Sequence, residues 1–180
     1  VYFVSSNVHS MLNVLTGFAL QQEQVLGKYL EEAGDLGLLN EWRDLQMDRV
    51  RASKENFLYY VYKKFRRLSE AVEVVEAQAE HEANLSVRRI DSSHYFDVEA
   101  QVVDLAKLDV NAFDPRLNGE NLGHLAESDA LILNIDYPLG LAAYNILSEV
   151  AERAGRVLGV YVMGKAATLN STVGDVMIPN

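Results

Sequence analysis

Two short segments carry residue types that could do chemistry: Asn134-Ile-Asp-Tyr-Pro-Leu-Gly140 and Gly164-Lys-Ala-Ala-Thr-Leu-Asn170. Each follows an apolar run. Gly164, Ala166 and Ala167 leave the backbone amides uncovered, so a ligand can approach the chain closely. Lys165 supplies a cation, Thr168 and Asn170 supply hydrogen-bonding groups, and Asp136 adds a carboxylate from the other segment. Such a set suits a sugar or a phosphate. It equally suits two tight turns with a solvated lysine, and composition alone favours that plainer reading.

The remaining candidates are weaker. None of His9, His81, His94 and His124 stands one helical turn from another with a glutamate between, so no metal pattern is present. His9 follows an apparent first strand and could line a pocket there, although capping or packing is the stronger expectation. His81 lies among Glu76, Glu80 and Glu82 and reads as exposed and salt-linked; His94, beside Asp91 and Asp97, reads as structural. Tyr59, Tyr60 and Tyr62 interleave with Lys63, Lys64, Arg66 and Arg67, the one place suited to an anionic partner. A solvated face, or an intramolecular partner for acidic loops, is the better expectation for that run. Asp104, Asp109 and Asp114 are too loosely placed for a catalytic pair, and no Ser-His-Asp spacing, Walker loop or full Gly-x-Gly-x-x-Gly occurs.

The elements that must position these residues follow from periodicity. Val1–Val4 predicts a short strand, and Ser5-Ser6-Asn7 supplies N-cap oxygens for the helix after it. Apolar residues from Val8 to Tyr29 recur near a 3.6-residue period, predicting a helix over about 8–32 that ends near Gly34. A helical turn is expected over Leu36–Trp42. A long helix is expected over about 46–83, broken at most once, with a basic first half and an acidic second half that run against the helix dipole. After Asn84, Val87–Ile90 and Tyr95–Leu105 read as strands, and 111–123 as turns. Then 130–135 reads as a buried strand, 139–154 as a helix, 157–163 as a strand and 173–178 as a last strand. Strand, helix and strand with short connections form a βαβ unit, at whose strand carboxyl ends ligands gather. The expected fold is therefore α/β: a partly parallel sheet with a βαβ unit in the C-terminal half, preceded by a long helical section. Residues 1–85 form that helical section and 86–180 the α/β part, as one compact domain or a fragment of a larger one.

Composition narrows the function classes. The chain has 180 residues, 49% of them hydrophobic and 23% charged, which excludes wholesale disorder. Sixteen basic against 26 acidic residues, a net charge of −10, argue against a nucleic-acid or anionic-membrane partner. No apolar run is long enough to span a bilayer. Cysteine is absent, which removes disulfides, thiolate ligands and cysteine nucleophiles and fits a reducing compartment, the cytoplasm. The chain opens at Val1-Tyr-Phe-Val without a basic segment ahead of an apolar core, and it stops at Met177-Ile-Pro-Asn180 after an apparent strand. A piece of a longer protein, without a signal peptide, is expected.

Order and spacing carry one further signal. Asn134-Ile-Asp-Tyr-Pro138, a helix, Val160-Tyr-Val-Met-Gly164-Lys-Ala-Ala-Thr-Leu-Asn170 and Val173-Gly-Asp-Val176 follow one another. Residues 130–178 thereby resemble the middle of the nucleoside phosphorylase and nucleosidase superfamily, which cleaves the N-glycosidic bond of nucleosides. Asn134 and Asp136 stand where that family usually has glycines. Val162 stands where its phosphorolytic branch often has an arginine, and Lys165 replaces a small hydroxyl residue. The resemblance implies N-glycosidic cleavage of a nucleoside or nucleotide by phosphorolysis or hydrolysis. No cofactor is implied beyond phosphate as a co-substrate, and a homo-oligomer is expected. Asp136, Gly164, Lys165, Ala166, Thr168 and Asn170 are the expected substrate-binding residues. The family's ribose-binding Met-Glu and base-protonating Asp lie further along than residue 180. A module that kept the fold to bind nucleotides without catalysis, or to dock a protein through its helices, is the alternative.

Overall fold

The computed structural model describes residues 1–92, 98–138, 140–164, 172 and 175–178. In chain order, β1 (Tyr2–Ser5) leads into α1 (Val8–Thr16), α2 (Phe18–Gln21), α3 (Glu23–Glu32), α4 (Leu36–Gln46), α5 (Lys54–Phe65) and α6 (Val72–Asn84). There follow β2 (Val87–Ile90), β3 (Ala100–Asp104), a stretch of short 3-10 turns, β4 (Leu131–Ile135), α7 (Gly140–Arg153) and β5 (Gly159–Val162). The described strands make one mixed sheet in the order β2-β3-β4-β1-β5. β4, β1 and β5 run parallel, while β2 and β3 extend the sheet antiparallel beyond β4. The α/β expectation thus holds, and the strand from the helical section supplies the middle of the parallel part.

That placement changes the expected βαβ unit. β4 and β5 are parallel, but β1 lies between them, so the α7 crossover spans a strand. β1 is the natural centre: Phe3, Val4 and Ser5 are all buried, with Phe3 2% exposed, whereas Val160, Tyr161 and Val162 of β5 are exposed. A β-branched or aromatic strand covered on both faces gains most by pairing on both edges.

The helix expected over 8–32 is three helices. Asn7 caps α1 by accepting from the amides of His9 and Ser10, and Gly17 ends it at φ 60°. Thr16 Oγ1 donates to the Leu12 carbonyl at 2.8 Å, closing the last turn. The left-handed turn at Gly17 lets the chain redirect, and α2 and α3 are then offset again at Gln22. The helix expected over 46–83 is likewise divided. α4 runs to Gln46, Ser53 caps α5 through the Asn56 amide, and the chain turns at 66–71 before α6. The division removes the apparent conflict with the helix dipole for α5, while α6 keeps Glu80 and Glu82 near its carboxyl end. α5 has Glu55 in its first turn and Lys63 and Lys64 in its last, and α6 has Glu73 first and His81 last. In the last predicted strand, residues 173 and 174 lie outside the described residues, and 175–178 are in no strand. Val176 and Ile178 are exposed there.

Two apolar clusters hold these elements. Leu12 of α1 packs with Leu85, Val87 and Val103 against the sheet. Phe18, Leu26, Leu30, Trp42, Phe57, Leu58, Val61, Tyr62 and Phe65 join α2 to α5, so the first half of the predicted stripe is covered internally. Trp42 and Phe57 stack with centroids 5.8 Å apart. Each fully buried side chain of this kind contributes about 1.5–3 kcal/mol. Asp114 fastens the 3-10 turns to the helices. Its amide donates to the Val14 carbonyl at 2.9 Å, Tyr59 Oη donates to its Oδ2 at 2.5 Å, and Arg116 grips both oxygens. The Arg116 guanidinium holds the Asp114 pKa down at about 2.

Gly17 is required twice over: its φ is left-handed, and a Cβ there would run into the Ala112 carbonyl oxygen. Gly17→Ala is expected to destabilise the fold by roughly 3 kcal/mol, strain and clash together. Urea unfolding of the two proteins measures this, and equal midpoints would contradict it.

Candidate functional site

Parallel pairing on both sides of β1 aligns three carboxyl ends. Ser5 stands opposite Ile135 on one side and Val162 on the other. The ladder continues one step further on each side: the Ser6 amide donates to the Ile135 carbonyl at 3.0 Å and the Met163 amide to the Ser5 carbonyl at 2.8 Å. The chain therefore leaves the sheet at Ser6, Asp136 and Met163 along a single edge. This is the edge at which open α/β sheets collect ligands.

A buried relay of side chains pins that edge. Ser6 Oγ donates to Asn134 Oδ1 at 2.7 Å, Asn134 Nδ2 to Gln101 Oε1 at 3.2 Å, and Gln101 Nε2 to the Val8 carbonyl at 3.0 Å. Asn134 and Gln101 are 0% and 1% exposed. An unmatched amide so deeply placed would cost about 1–3 kcal/mol, so each member fixes the next. The relay ties β1, β4 and β3 to the first turn of α1.

Beyond the relay the chain turns sharply. The Asp136 amide donates to the Glu99 carbonyl at 2.9 Å, and the Tyr137 amide reaches back to the Ile135 carbonyl at 3.0 Å. Tyr137 adopts φ 42°, a left-handed conformation rare for an aromatic residue and costing about 1 kcal/mol or more. Asp136 and Tyr137 consequently line different cavities. Asp136 lines a polar one of about 350 Å³ with Asn7, Val8, His9, Lys63, Arg67 and Glu99. Tyr137 lines an apolar one of about 400 Å³ with Ser6, Asn7, Met11, Val14, Leu15 and Met163. The two share Asn7, at the start of α1.

The polar cavity has two walls of opposite charge. Glu99 and Asp136, neighbours through their backbones, make the acidic wall. Lys63, in the last turn of α5, and Arg67, just past it, make the basic wall. Among the described residues Asp136 Oδ1 is enclosed and has no hydrogen-bond partner. A second polar cavity of about 250 Å³ adjoins, sharing His9 and Glu99. It is bordered by a closed network: Tyr62 Oη donates to Gln78, Gln78 to Glu82, and Arg89 to both oxygens of Glu82 at 2.7 and 2.8 Å. Burial pushes the Tyr62 hydroxyl up to about 12, so it remains a donor. Among the described residues no group of three or more His, Asp or Glu is placed to hold a metal ion. Nor is any helix among them long and apolar enough to cross a membrane.

Of the residues expected to bind substrate, Asp136 and Gly164 are described, and Lys165, Ala166, Thr168 and Asn170 lie outside the described residues. Gly164 is exposed, two residues past the end of β5. His9 does not cap: Asn7 does, and His9 lines both polar cavities. His81 is tied to the backbone, its Nε2 3.0 Å from the Thr16 carbonyl oxygen and its ring 5.5 Å from that of Phe18. His94 lies outside the described residues. The acidic wall at Glu99 was not foreseen. Lys63 and Arg67 belong to the basic run, for which a solvated face or an intramolecular partner for acidic loops is the better expectation from sequence.

His9 is neutral in the fold. Arg66 can only donate, so the 3.2 Å contact from its Nη1 requires an unprotonated His9 Nδ1. Burial, then the Arg66, Lys63 and Arg89 cations, lower the His9 pKa from 6.5 to about 4, against a smaller upward pull from Asp136. The unfolded chain takes up this proton near pH 6.5 and the folded chain only near 4. The stability tied to neutral His9 is thus complete above pH 6.5 and lost as the pH falls toward 4. Allowing for solvent screening, the loss is about 1 kcal/mol. His9→Gln, which keeps an acceptor for Arg66, is expected to lose less stability than the parent between those pH values in urea unfolding. Parallel losses in both proteins would refute the assignment.

No curated protein and no solved structure matches the chain. A family model matches residues 1–180, the whole length, and its description is a family of unknown function, DUF6909. The chain, with its aligned strand ends and paired polar and apolar cavities, belongs to that family.

Proposed function

We propose that the protein binds a nucleoside or nucleotide at the carboxyl edge of its parallel strands and cleaves the N-glycosidic bond. The observation that carries this reading is that an apolar and a polar cavity have Asn7 in common in their linings. A nucleoside has the same division: a flat base and a hydroxyl-rich sugar. Both volumes fall in the range of small-molecule sites. The base packs against Tyr137 and Met163, and the ribose lies toward Asp136 and Glu99, whose carboxylates accept from its hydroxyls.

Cleavage breaks the bond between C1′ and the base nitrogen, joins C1′ to an oxygen of water or phosphate, and returns a proton to the departing base. Positive charge grows on the ribose as the base leaves, and two fixed carboxylates beside it lower the energy of that state. The resemblance of 130–178 to the nucleoside phosphorylase superfamily supports the same chemistry, with Gly164, Lys165, Ala166, Thr168 and Asn170 completing the site. A homo-oligomer, operating in the cytoplasm, belongs to the same proposal; exposed Leu141, Tyr144 and Val162 favour contact with a second copy.

Binding without turnover is the second reading, and Asn134 favours it. Where the superfamily usually has glycine, this side chain is committed to the buried relay rather than to a ligand. Incubating the full-length protein with purine and pyrimidine nucleosides and their monophosphates, with and without phosphate, separates the readings. Release of free base is the expected result. Binding in calorimetry without base release would leave the second reading, and neither binding nor release would remove both.

A further inference from the structure

We infer that the basic wall of the polar cavity holds a phosphoryl group carried by the substrate, so that the ligand is a nucleotide rather than a nucleoside. This rests on the reading of the cleft as a nucleoside site and adds the class of substrate. Lys63 and Arg67 line the cavity, and among the described residues neither side chain has an ion-pair or hydrogen-bond partner. Their neighbours are engaged otherwise: Lys64 pairs with Asp35 at 3.6 Å, and Arg66 contacts His9 Nδ1. The cations at the carboxyl end of α5 are thus divided between two whose side chains have partners and two whose side chains, among the described residues, have none.

The opposite wall shows why a bare anion is not the whole ligand. Glu99 and Asp136 balance Lys63 and Arg67 in formal charge, and His9 between them is neutral. Inorganic phosphate alone would meet as much repulsion as attraction there. A ribose phosphate meets both walls correctly, its phosphoryl oxygens accepting from Lys63 and Arg67 and its hydroxyls donating to the carboxylates. Asn7, common to both cavities, leaves the base on the Tyr137 side.

The test is calorimetric titration of the full-length protein with a nucleoside, its 5′-monophosphate, ribose 5-phosphate and inorganic phosphate, repeated on the double variant Lys63→Ala/Arg67→Ala. Both side chains are exposed and unpaired among the described residues, and circular dichroism checks that the variant folds. The monophosphate is expected to bind roughly tenfold to a hundredfold more tightly than the nucleoside. The variant should erase that difference, bringing the monophosphate down to the affinity the same variant shows for the nucleoside. Equal affinities in the parent, or a preference that survives the double substitution, would overturn the inference. So would inorganic phosphate binding as tightly as ribose 5-phosphate, since the group would then be a co-substrate. Base release without any preference for the monophosphate would sink this inference alone. A Lys63- and Arg67-dependent preference without base release would uphold it and remove cleavage.

Discussion

The hydrogen-bonded relay from Ser6 through Asn134 and Gln101 to the Val8 carbonyl is the constraint on which the carboxyl edge depends. Three strands that are far apart in sequence must end in line, and backbone pairing alone leaves their register open to slippage. The relay removes that freedom, because a shift of β4 by one residue would turn Asn134 to the other face and strand two buried amides. Its last link reaches α1, so the helix whose start lines both cavities is set by the same bonds that set the sheet.

What this edge offers a ligand follows from two consecutive residues. The turn after β4 sends Asp136 toward a charged cavity and Tyr137 toward an apolar one, at the expense of a left-handed tyrosine. Strain of that kind persists only where surrounding structure imposes it, and such positions gather at functional sites. The helical section contributes more than a scaffold. α5 buries Phe57, Leu58, Val61 and Phe65 among the other helices while its carboxyl end brings Lys63 and Arg67 to the cleft. Burial of the apolar face thereby determines where the cations stand.

Much of this was legible in the chain. The α/β class, the N-cap at Asn7, and the elements after residue 130 up to β5 follow from local pattern, because caps, alternation and period are local properties. Helix interruptions were less visible. Gly17 is a plain turn signal, but nothing local says that the Ala112 carbonyl lies against it. The central position of β1 was invisible, since strand order is decided by pairing across more than 120 residues. For the site, Asp136 was found from its place after a strand. Glu99 and the arrangement of Lys63 and Arg67 required the fold, because four distant segments meet there. Asn134 was read as a departure from a glycine pattern, and its role in the relay could emerge only once Gln101 was known to lie beside it.

The central claim is that ligand binds between the start of α1 and the ends of β1 and β4. Amide hydrogen exchange of the full-length protein, with and without saturating nucleoside 5′-monophosphate, tests it most directly. Slowed exchange should concentrate in peptides covering 5–12, 60–68 and 134–138. Unchanged exchange in all three, or protection confined to α7 and the outer edge of β5, would contradict the account.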